Sequence, residues 1–389
     1  MAVFGIISEF NPFHSGHKYI VDRARGEGAD AVVAIMSGNA VQRGELSIVD
    51  KYERAKMALL SGVDLVLELP FPWCASGAES FARCGVKIAS EYVDTLIFGS
   101  ECGDIDSLRY AASICADEAF VEEYKSSLKG NKGAAEAYFE MLSDRTGREY
   151  SSNDILGIEY IKAARTMDSS LSFMTVKREG SAYLSDRIEN TAFQSASAIR
   201  ALLLQGDAAE LSRYMPLAAS ELLASCKENG KIASLDTLNS ALTLYFRLID
   251  IERLSDVAEL DLGLANRIKQ VALECGEGSV LDALKTKRYT DSKLRRALLF
   301  ALAGVMTADV KSAPAYTVLL GANARGRELL SAKRKTAKLP LVTKPSDIPD
   351  TNEAKRQREL SLALDSIFSL ALQKPTDLAS AVARSPIII

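Results

Sequence analysis

The chain has 389 residues and a mass of 42.1 kDa, which exceeds the size of one ordinary hydrophobic core and predicts two or three domains. Hydrophobic residues make up 48% and charged residues 25%, a globular balance, and no apolar run reaches the ~20 residues needed to cross a bilayer. The net charge of −4 argues against a wholly basic nucleic-acid binder. The six cysteines are scattered and form no CxxC pair, which argues against a zinc site and a disulfide framework. The N-terminus is unlike a signal peptide, so we expect a cytoplasmic enzyme or binding protein.

Short apolar runs alternate with helical patterns over the first hundred residues. Strands are predicted at 3–8, 31–36, 65–67 and 95–98, and helices at about 17–25, 50–60 and 77–90. This alternation predicts an α/β fold with a Rossmann-like, doubly wound parallel sheet. Ligands bind outside the carboxyl ends of the strands in such sheets, and three of those ends here are rich in glycine and polar residues.

The second half of the chain has a different character. One more strand is predicted at 171–176, but strand signals nearly vanish after about residue 205. Long amphipathic helical patterns follow, for example at 235–250 and 353–372. We therefore predict a catalytic domain over residues 1–230 and a mainly helical C-terminal domain over residues 231–389.

The only two histidines of the chain, His14 and His17, lie on either side of Gly16 where the first strand turns into the first helix. A helix N-terminus favours anions, and a glycine there leaves room for a phosphate. Imidazoles at this point can stabilise the charge that develops during displacement at phosphorus. The pattern predicts a nucleotide site with His14 and His17 as its catalytic residues. The alternative is that one histidine caps the helix while the other packs beneath the loop.

The H-x-G-H element resembles that of the nucleotidyltransferase superfamily, in which it binds the triphosphate of ATP. Further segments make the chain similar to the tRNA(Met) cytidine acetate ligase family over most of its length. They are residues 5–14, 98–101, 152–160, 176–178, 195–200, 287–290, 320–323 and 339–341. The resemblance implies that acetate attacks the α-phosphate of ATP to give acetyl-adenylate. The acetyl group then passes to the wobble cytidine of elongator tRNA(Met), giving N4-acetylcytidine.

The resemblance also implies which residues bind ATP, which we expect to arrive with Mg²⁺. The loop after the first strand would surround the nucleotide, Gly99 would let the adenosine approach the backbone, and Arg200 would reach the phosphates. The full set is Ile7, Ser8, Glu9, Phe10, Asn11, Pro12, Phe13, His14, Ser15, Gly16, His17, Lys18, Tyr19, Ile20, Gly99, Asn153, Lys177, Arg178 and Arg200. No protein metal site is expected.

Three of these positions have a plainer interpretation, and the chain departs from the family pattern at three others. Asn153 also fits an ordinary helix cap, and Lys177 with Arg178 fits a solvated strand end. Ala196 and Ala198 replace hydroxyl residues of related adenylyltransferases. Leu184 stands where a histidine is expected in the family, which puts the details of acetate or tRNA contacts in doubt.

Two basic clusters in this acidic chain predict contacts with an RNA backbone. The RNA-binding residues predicted from them are Lys287, Arg288, Lys293, Arg295 and Arg296 in the first cluster and Lys333, Arg334 and Lys335 in the second. The alternative is a solvated helix face. Two other functions stay open at this point: an adenylyltransferase acting on a small metabolite, and an RNA-binding protein without catalysis.

Overall fold

The computed structural model describes residues 1–127, 134–178, 193–205, 208–276, 278–286 and 289–389. The strands within them are β1 (Val3–Ser8), β2 (Ala31–Ser37), β3 (Leu65–Leu69), β4 (Thr95–Ser100), β5 (Ser172–Lys177), β6 (Thr317–Ala322), β7 (Leu341–Val342) and β8 (Ile387–Ile388). The helices of the first half are α1 (Ser15–Gly26), α2 (Lys51–Leu60), α3 (Ala78–Tyr92), α4 (Ile105–Cys115), α5 (Glu118–Ser127), α6 (Ala134–Thr146), α7 (Ser152–Thr166) and α8 (Ala196–Gln205). Those of the second half are α9 (Leu217–Glu228), α10 (Asn239–Leu248), α11 (Ile251–Ser255), α12 (Leu262–Glu274), α13 (Val280–Leu284), α14 (Asp291–Ala303), α15 (Thr307–Lys311), α16 (Ala324–Lys333), α17 (Asn352–Leu370) and α18 (Leu378–Val382).

The strands form one sheet in the order β5-β4-β1-β2-β3-β6-β7, with β8 paired to β6. Strands β1 to β5 are mutually parallel, and β6 runs antiparallel to β3. The central strands are continuous apolar runs because helices cover both faces of the sheet. In β2, for example, Val33 and Ile35 belong to one core while Ala34 and Met36 belong to the core on the other face. The predicted doubly wound α/β fold is confirmed.

The strand order reverses at β1, which has β2 and β3 on one side and β4 and β5 on the other. Doubly wound sheets bind ligands in the crevice at such a switch point, beyond the carboxyl ends of the strands. The loop that follows Ser8 in β1 and the loop that follows Ser100 in β4 flank this point. The topology therefore locates the ligand site before any side chain is considered.

The second half of the chain is mainly helical, as predicted, but it also returns to the sheet. β6 pairs with β3, and β7 and β8 pair with β6, which the sequence patterns did not indicate. The helix predicted at 235–250 begins later, because Ser234 caps a short 3₁₀ turn that precedes α10. The division into domains at residue 230 stays a prediction. No helix in the described ranges has the length and apolar character that a membrane span requires.

A buried charge network joins the sheet to α17. The Nζ of Lys51 lies 2.9 and 3.1 Å from the carboxylate oxygens of Glu68 and 4.0 Å from Oδ2 of Asp365. The Nδ2 of Asn39 donates to Oδ1 of Asp365 at 2.8 Å, and the Oδ1 of Asn39 accepts from the backbone N–H of Lys51. Buried charges are tolerated when they are paired and hydrogen-bonded. The network therefore holds α17 against the loop that follows β2.

Arg54 on α2 links the loops at the carboxyl edge of the sheet. Its side chain is fully buried, and its guanidinium donates to the backbone oxygens of Val49 at 3.1 Å, of Glu9 at 2.6 Å and of Gly38. Burial lowers the pKa of Arg54 to about 10, so the group stays charged at neutral pH. One side chain thus satisfies carbonyl groups in the loops after both β1 and β2.

We predict that Arg54→Met lowers the free energy of unfolding by about 3 kcal/mol or more, because each buried carbonyl left without a donor costs about 1–3 kcal/mol. Urea denaturation followed by circular dichroism measures the change. The control is Lys56→Met on the same helix, at a partly exposed position, for which we expect a change within about 0.5 kcal/mol. Equal losses in the two variants would contradict the role given to Arg54.

Candidate active site

A cleft of about 1040 Å³, open to solvent, lies at the switch point of the sheet. Its lining combines the loop after β1, the turn after β2, the end of β4, the start of α7 and the start of α8. The residues that line the cleft include Ile7, Ser8, Glu9, Phe10, Asn11, His14, His17, Ile20, Gln42, Arg43, Glu45, Phe81, Gly99, Asn153, Leu156, Tyr160, Arg178, Ser195, Ser197 and Arg200.

The loop after β1 is held by buried aromatic rings. Phe10 has a φ of 44°, which is unfavourable for a residue other than glycine, and its side chain is fully buried. Its ring makes edge contacts with Phe13 and His17, with centroids 4.8 Å away in each case. Strain of this kind persists where the surrounding packing determines the conformation. The aromatic contacts therefore fix the path of the chain into α1.

Both histidines cap the first helix with the same ring atom. The backbone N–H of Gly16 donates to Nδ1 of His14 at 3.1 Å, and the backbone N–H of His14 donates to Nδ1 of His17 at 3.2 Å. The two rings stack with centroids 3.8 Å apart. Capping and phosphate binding are therefore compatible, because capping occupies Nδ1 and leaves Nε2 of each ring for a ligand.

Burial keeps both rings neutral. It lowers the pKa of His14 to about 3, with a smaller contribution from the positive charge of Arg178. The pKa of His17 is also well below its usual value, through burial and the neighbouring His14 and Arg178. A neutral ring whose Nδ1 accepts a hydrogen bond carries its proton on Nε2. The site therefore offers two adjacent N–H donors, suited to oxygens on which negative charge develops.

The sequence predicts that Gly16 leaves room for a phosphate and that the N-terminus of α1 binds it, but the structure gives both features another role. A Cβ at position 16 would lie 2.9 Å from Cε1 of His14, so glycine is needed there to accommodate the imidazole. The first amides of α1 are also occupied, since Ser15 donates to the carbonyl of Tyr214 and His17 to that of His14. A phosphate would meet the Nε2–H groups of the histidines in place of free backbone amides.

Two arginines from distant segments reach the cleft. Arg178, just after β5, crosses the end of β4 at Gly99, where a Cβ would come within 3.2 Å of the Cγ of Arg178. Arg200 on α8 donates to the carbonyl of Asn11 at 2.9 Å. Asn11 also accepts from the backbone of Ile48 at 2.7 Å, while its buried Nδ2 has no partner among the described residues. These two arginines add positive charge to the cleft, and Asn11 adds a buried amide donor.

Asn153 lines the cleft and is not the cap of α7. Ser151 and Asp154 form the capping box of that helix, and the Nδ2 of Asn153 donates to Glu101 at 2.6 Å. Glu101 also accepts from the backbone N–H groups of Asn153 and Asp154. Glu9, on the opposite wall, has a pKa raised by burial, and the nearby Arg43 and Arg200 oppose that shift.

The structure brings most of the predicted nucleotide-binding residues together. Gly16, Tyr19 and Lys177 line a smaller pocket of about 450 Å³ that shares His14, Ile20, Gly99 and Arg178 with the main cleft. Four predicted residues line neither pocket. Pro12 and Phe13 lie buried within the loop, the backbone of Ser15 bonds to Tyr214, and Lys18 forms an ion pair with Asp22 on α1. Tyr183 and Leu184 lie outside the described residues.

Sequence reasoning missed the turn after β2. Gln42, Arg43 and Glu45 line the cleft, as do Phe81, Leu156 and Tyr160 from α3 and α7. The polar end of β2 at residues 37–39 was a usable signal, but the residues that reach the cleft come a few positions later. Ser195 and Ser197 also line it, and the SxSxxR spacing in which they stand did indicate this segment.

The predicted RNA-binding residues fall in two separate places. On α14, Arg295 pairs with Glu45 and Arg296 with Glu259, while the ammonium of Lys293 lies 5.5 Å from the ring of Tyr289. Lys287 and Arg288 lie outside the described residues. Lys333 is the last residue of α16, and Arg334 and Lys335 follow it. The cap of that helix, Asn323, bonds to Asp64 just before β3, and the backbone N–H of Lys338 donates to Glu91 at the end of α3, just before β4. That is the amino edge of the parallel strands, opposite the cleft.

The described residues contain no group of three histidine, cysteine, aspartate or glutamate side chains that could hold a metal ion. The cleft carboxylates that are described have other partners: Glu9 accepts from Gln42, Glu45 from two arginines, and Glu101 from the start of α7.

The chain is similar to known proteins over nearly all of its length. Residues 1–381 match the family model of the HIGH Nucleotidyl Transferase. The tRNA(Met) cytidine acetate ligase of Acetivibrio thermocellus is 35% identical over 402 residues, covering 96% of each chain, and that of Listeria monocytogenes is 37% identical, covering 90% of this chain and 91% of its own. The crystal structure of Thermotoga maritima TmcAL in its apo form superposes with a TM-score of 0.92 at 31% identity over all of both chains. The form bound with alpha-thio ATP gives 0.90 at 31% identity, over 100% of this chain and 99% of that one.

We predict that both histidines of the ligand-free protein are neutral Nε2–H tautomers at pH 5.5, because their pKa values lie below the usual 6.5 and both Nδ1 atoms accept hydrogen bonds. Nitrogen-15 NMR of the imidazoles is unambiguous here, since the chain has two histidines. In urea both rings should titrate near 6.5. A folded-state ring that titrates there, or that carries its proton on Nδ1, would contradict the geometry.

Proposed function

The chain belongs to the tRNA(Met) cytidine acetate ligase family, within the HIGH nucleotidyl transferases, and from that premise we propose that it acetylates the wobble cytidine of elongator tRNA(Met) using ATP and acetate. The observation that carries the proposal is the pair of neutral imidazoles, His14 and His17, stacked at the switch point of the sheet with Arg178 and Arg200 beside them. This arrangement suits the displacement of pyrophosphate from a nucleotide.

The first step of the proposed reaction forms acetyl-adenylate. A carboxylate oxygen of acetate attacks the α-phosphorus of ATP, and the bond from that phosphorus to the bridging oxygen of pyrophosphate breaks. The Nε2–H groups of His14 and His17 donate to the phosphate oxygens as charge builds on them. Arg178 and Arg200 add positive charge, and Mg²⁺ arriving with ATP would supply further positive charge at the phosphates. None of these residues forms a covalent bond.

The second step moves the acetyl group to the RNA. The exocyclic amine of cytidine attacks the acetyl carbonyl carbon, the carbon–oxygen bond to AMP breaks, and the amine loses one proton. The acyl-adenylate is prone to hydrolysis, so the enclosing loops after β1 and β2 serve to exclude water. The apolar side chains of Ile7, Phe81 and Leu156 in the cleft wall are consistent with this role.

The small-metabolite adenylyltransferase is the rival function. It shares the two histidines, but it gives no reason for a chain whose similarity to tRNA(Met) cytidine acetate ligases extends over its helical second half. We propose that residues 231–389 help to hold tRNA, through Lys287, Arg288 and Lys293 near α14 and through Lys333, Arg334 and Lys335 after α16. Because Lys293 on α14 and Lys333 at the end of α16 lie in separate places, one tRNA would have to contact the protein over a long distance.

Transfer of labelled acetate into unmodified elongator tRNA(Met) tests the proposed function. With ATP and Mg²⁺, wild type should place the label on cytidine, and His14→Ala/His17→Ala should lose at least about 100-fold of the rate, the effect of removing donors to developing charge. Label in the tRNA of neither protein, together with adenylylation of another acceptor by wild type, would support the small-metabolite rival. ATP binding without any pyrophosphate release would support a non-catalytic RNA-binding protein.

The salt dependence of tRNA binding tests the second basic cluster. If Lys333, Arg334 and Lys335 contact phosphates, replacing all three with Gln should reduce the slope of log K against log salt by about 2, since each lost contact removes about 0.7–0.9. The control is Lys87→Gln/Lys125→Gln/Lys355→Gln, which removes the same charge from other surfaces. An unchanged slope in the first variant would show that this cluster is a solvated surface.

A further inference from the structure

We propose that Glu45 is a positioning residue for acetate activation, which holds Arg200 of the cleft and Arg295 of α14 through one carboxylate. The inference rests on the proposed function, because it concerns the adenylation step. It assigns to Arg295, which the sequence places among RNA-binding residues, a part in a reaction step that involves no RNA.

The carboxylate of Glu45 lies between two guanidinium groups from segments far apart in the chain. Its Oε1 accepts from Nη1 of Arg295 at 2.7 Å, and its Oε2 accepts from Nη2 of Arg200 at 3.2 Å. All three side chains are only partly exposed, with side-chain exposures of 20–27%. Each guanidinium therefore makes one charge-assisted hydrogen bond to Glu45, which holds it beside the carboxylate and offsets its charge.

The turn that carries Glu45 is rigid and pressed against α14. Val41 and Glu45 close it with a backbone hydrogen bond of 2.9 Å, and Gly44 inside it has a φ of 74°. A Cβ at Gly44 would collide with the backbone of Arg295 and Arg296. The turn is therefore packed directly against the backbone of the helix, and the position of Glu45 depends on α14.

The same turn also contacts the loop that carries the histidines. The backbone N–H of Gln42 donates to Oε1 of Glu9 at 3.0 Å, and Arg200 donates to the carbonyl of Asn11 at 2.9 Å. Arg200 is thus oriented by Glu45 on one side and by Asn11, three residues before His14, on the other. Loss of the Glu45 contact leaves Arg200 with the Asn11 carbonyl and a 3.3 Å bond to Ser197.

Removing Arg295 should lower the rate of the adenylation step through its effect on Glu45. Without Arg295, both carboxylate oxygens of Glu45 become available to Arg200, whose guanidinium is then drawn away from the nucleotide. Removing the negative charge of Glu45 also displaces Arg200. The guanidinium groups of Arg200 and Arg295 then face each other without a carboxylate between them and repel. Either change misplaces a cation near the reacting phosphate, and misplacement by about 1 Å can cost 100-fold in rate.

The test is acetate-dependent exchange of pyrophosphate into ATP, measured without tRNA. We expect Glu45→Gln and Arg295→Gln to lower kcat roughly 10- to 100-fold while the KM for ATP changes little, the result of misplacing a group that acts in the transition state. Arg295→Lys should recover most of the rate, because the single Nη1 contact needs one donor and one charge. The double variant should be no slower than the slower single variant.

The matched control is Arg253→Gln, which removes one exposed positive charge from α11 and should leave exchange unchanged. Thermal unfolding of each variant reports on folding, and the comparison of Arg295→Lys with Arg295→Gln stays decisive even if Glu45→Gln is unstable. Exchange by Arg295→Gln at the wild-type rate, with loss confined to tRNA acetylation, overturns the inference and makes Arg295 an RNA contact. Absence of acetate-dependent exchange in wild type overturns the proposed function itself, and the inference with it.

Discussion

Two backbone amides at the start of α1 each donate to an imidazole Nδ1, and these hydrogen bonds set the tautomer and direction of both histidines. Because Nδ1 is occupied, each neutral ring presents Nε2–H to the cleft. Gly16 permits the arrangement, since any side chain there would meet the ring of His14. The helix cap and the chemical site are thus the same structure, and a change that weakened one would weaken the other.

The remaining parts of the site are held by polar links between loops that are far apart in the chain. Arg54 donates hydrogen bonds to the loops after β1 and β2, and Glu45 links the turn after β2 to α8 and α14. A doubly wound sheet places its loops side by side at the switch point but does not fix their conformations. Buried, hydrogen-bonded charges supply that fixation, because leaving any one of them unpaired is costly.

The relation between the helical second half and the sheet has a functional consequence. β6 pairs with β3, and Asp365 of α17 bonds to Asn39 after β2, so the second half of the chain is tied to the sheet and to a loop at its carboxyl edge. The basic group on α14 lies near the cleft, and the group after α16 lies at the opposite edge of the sheet. A substrate that reaches both must be large, as a folded RNA is.

The sequence by itself determined the alternation of strands and helices and the parallel core, and it predicted a nucleotide site at His14 and His17, because periodicity and local spacing are properties of short segments. It also assigned the chain to its family, whose known relatives cover nearly all of its length. Only the tertiary structure decided that Gln42, Arg43 and Glu45 line the cleft, that Arg54 holds the loops beside it and that β6 completes the sheet. It also showed that Arg295 contacts Glu45, which lies 250 positions earlier in the sequence. Contacts of that separation arise from packing, and no local pattern of residues encodes them.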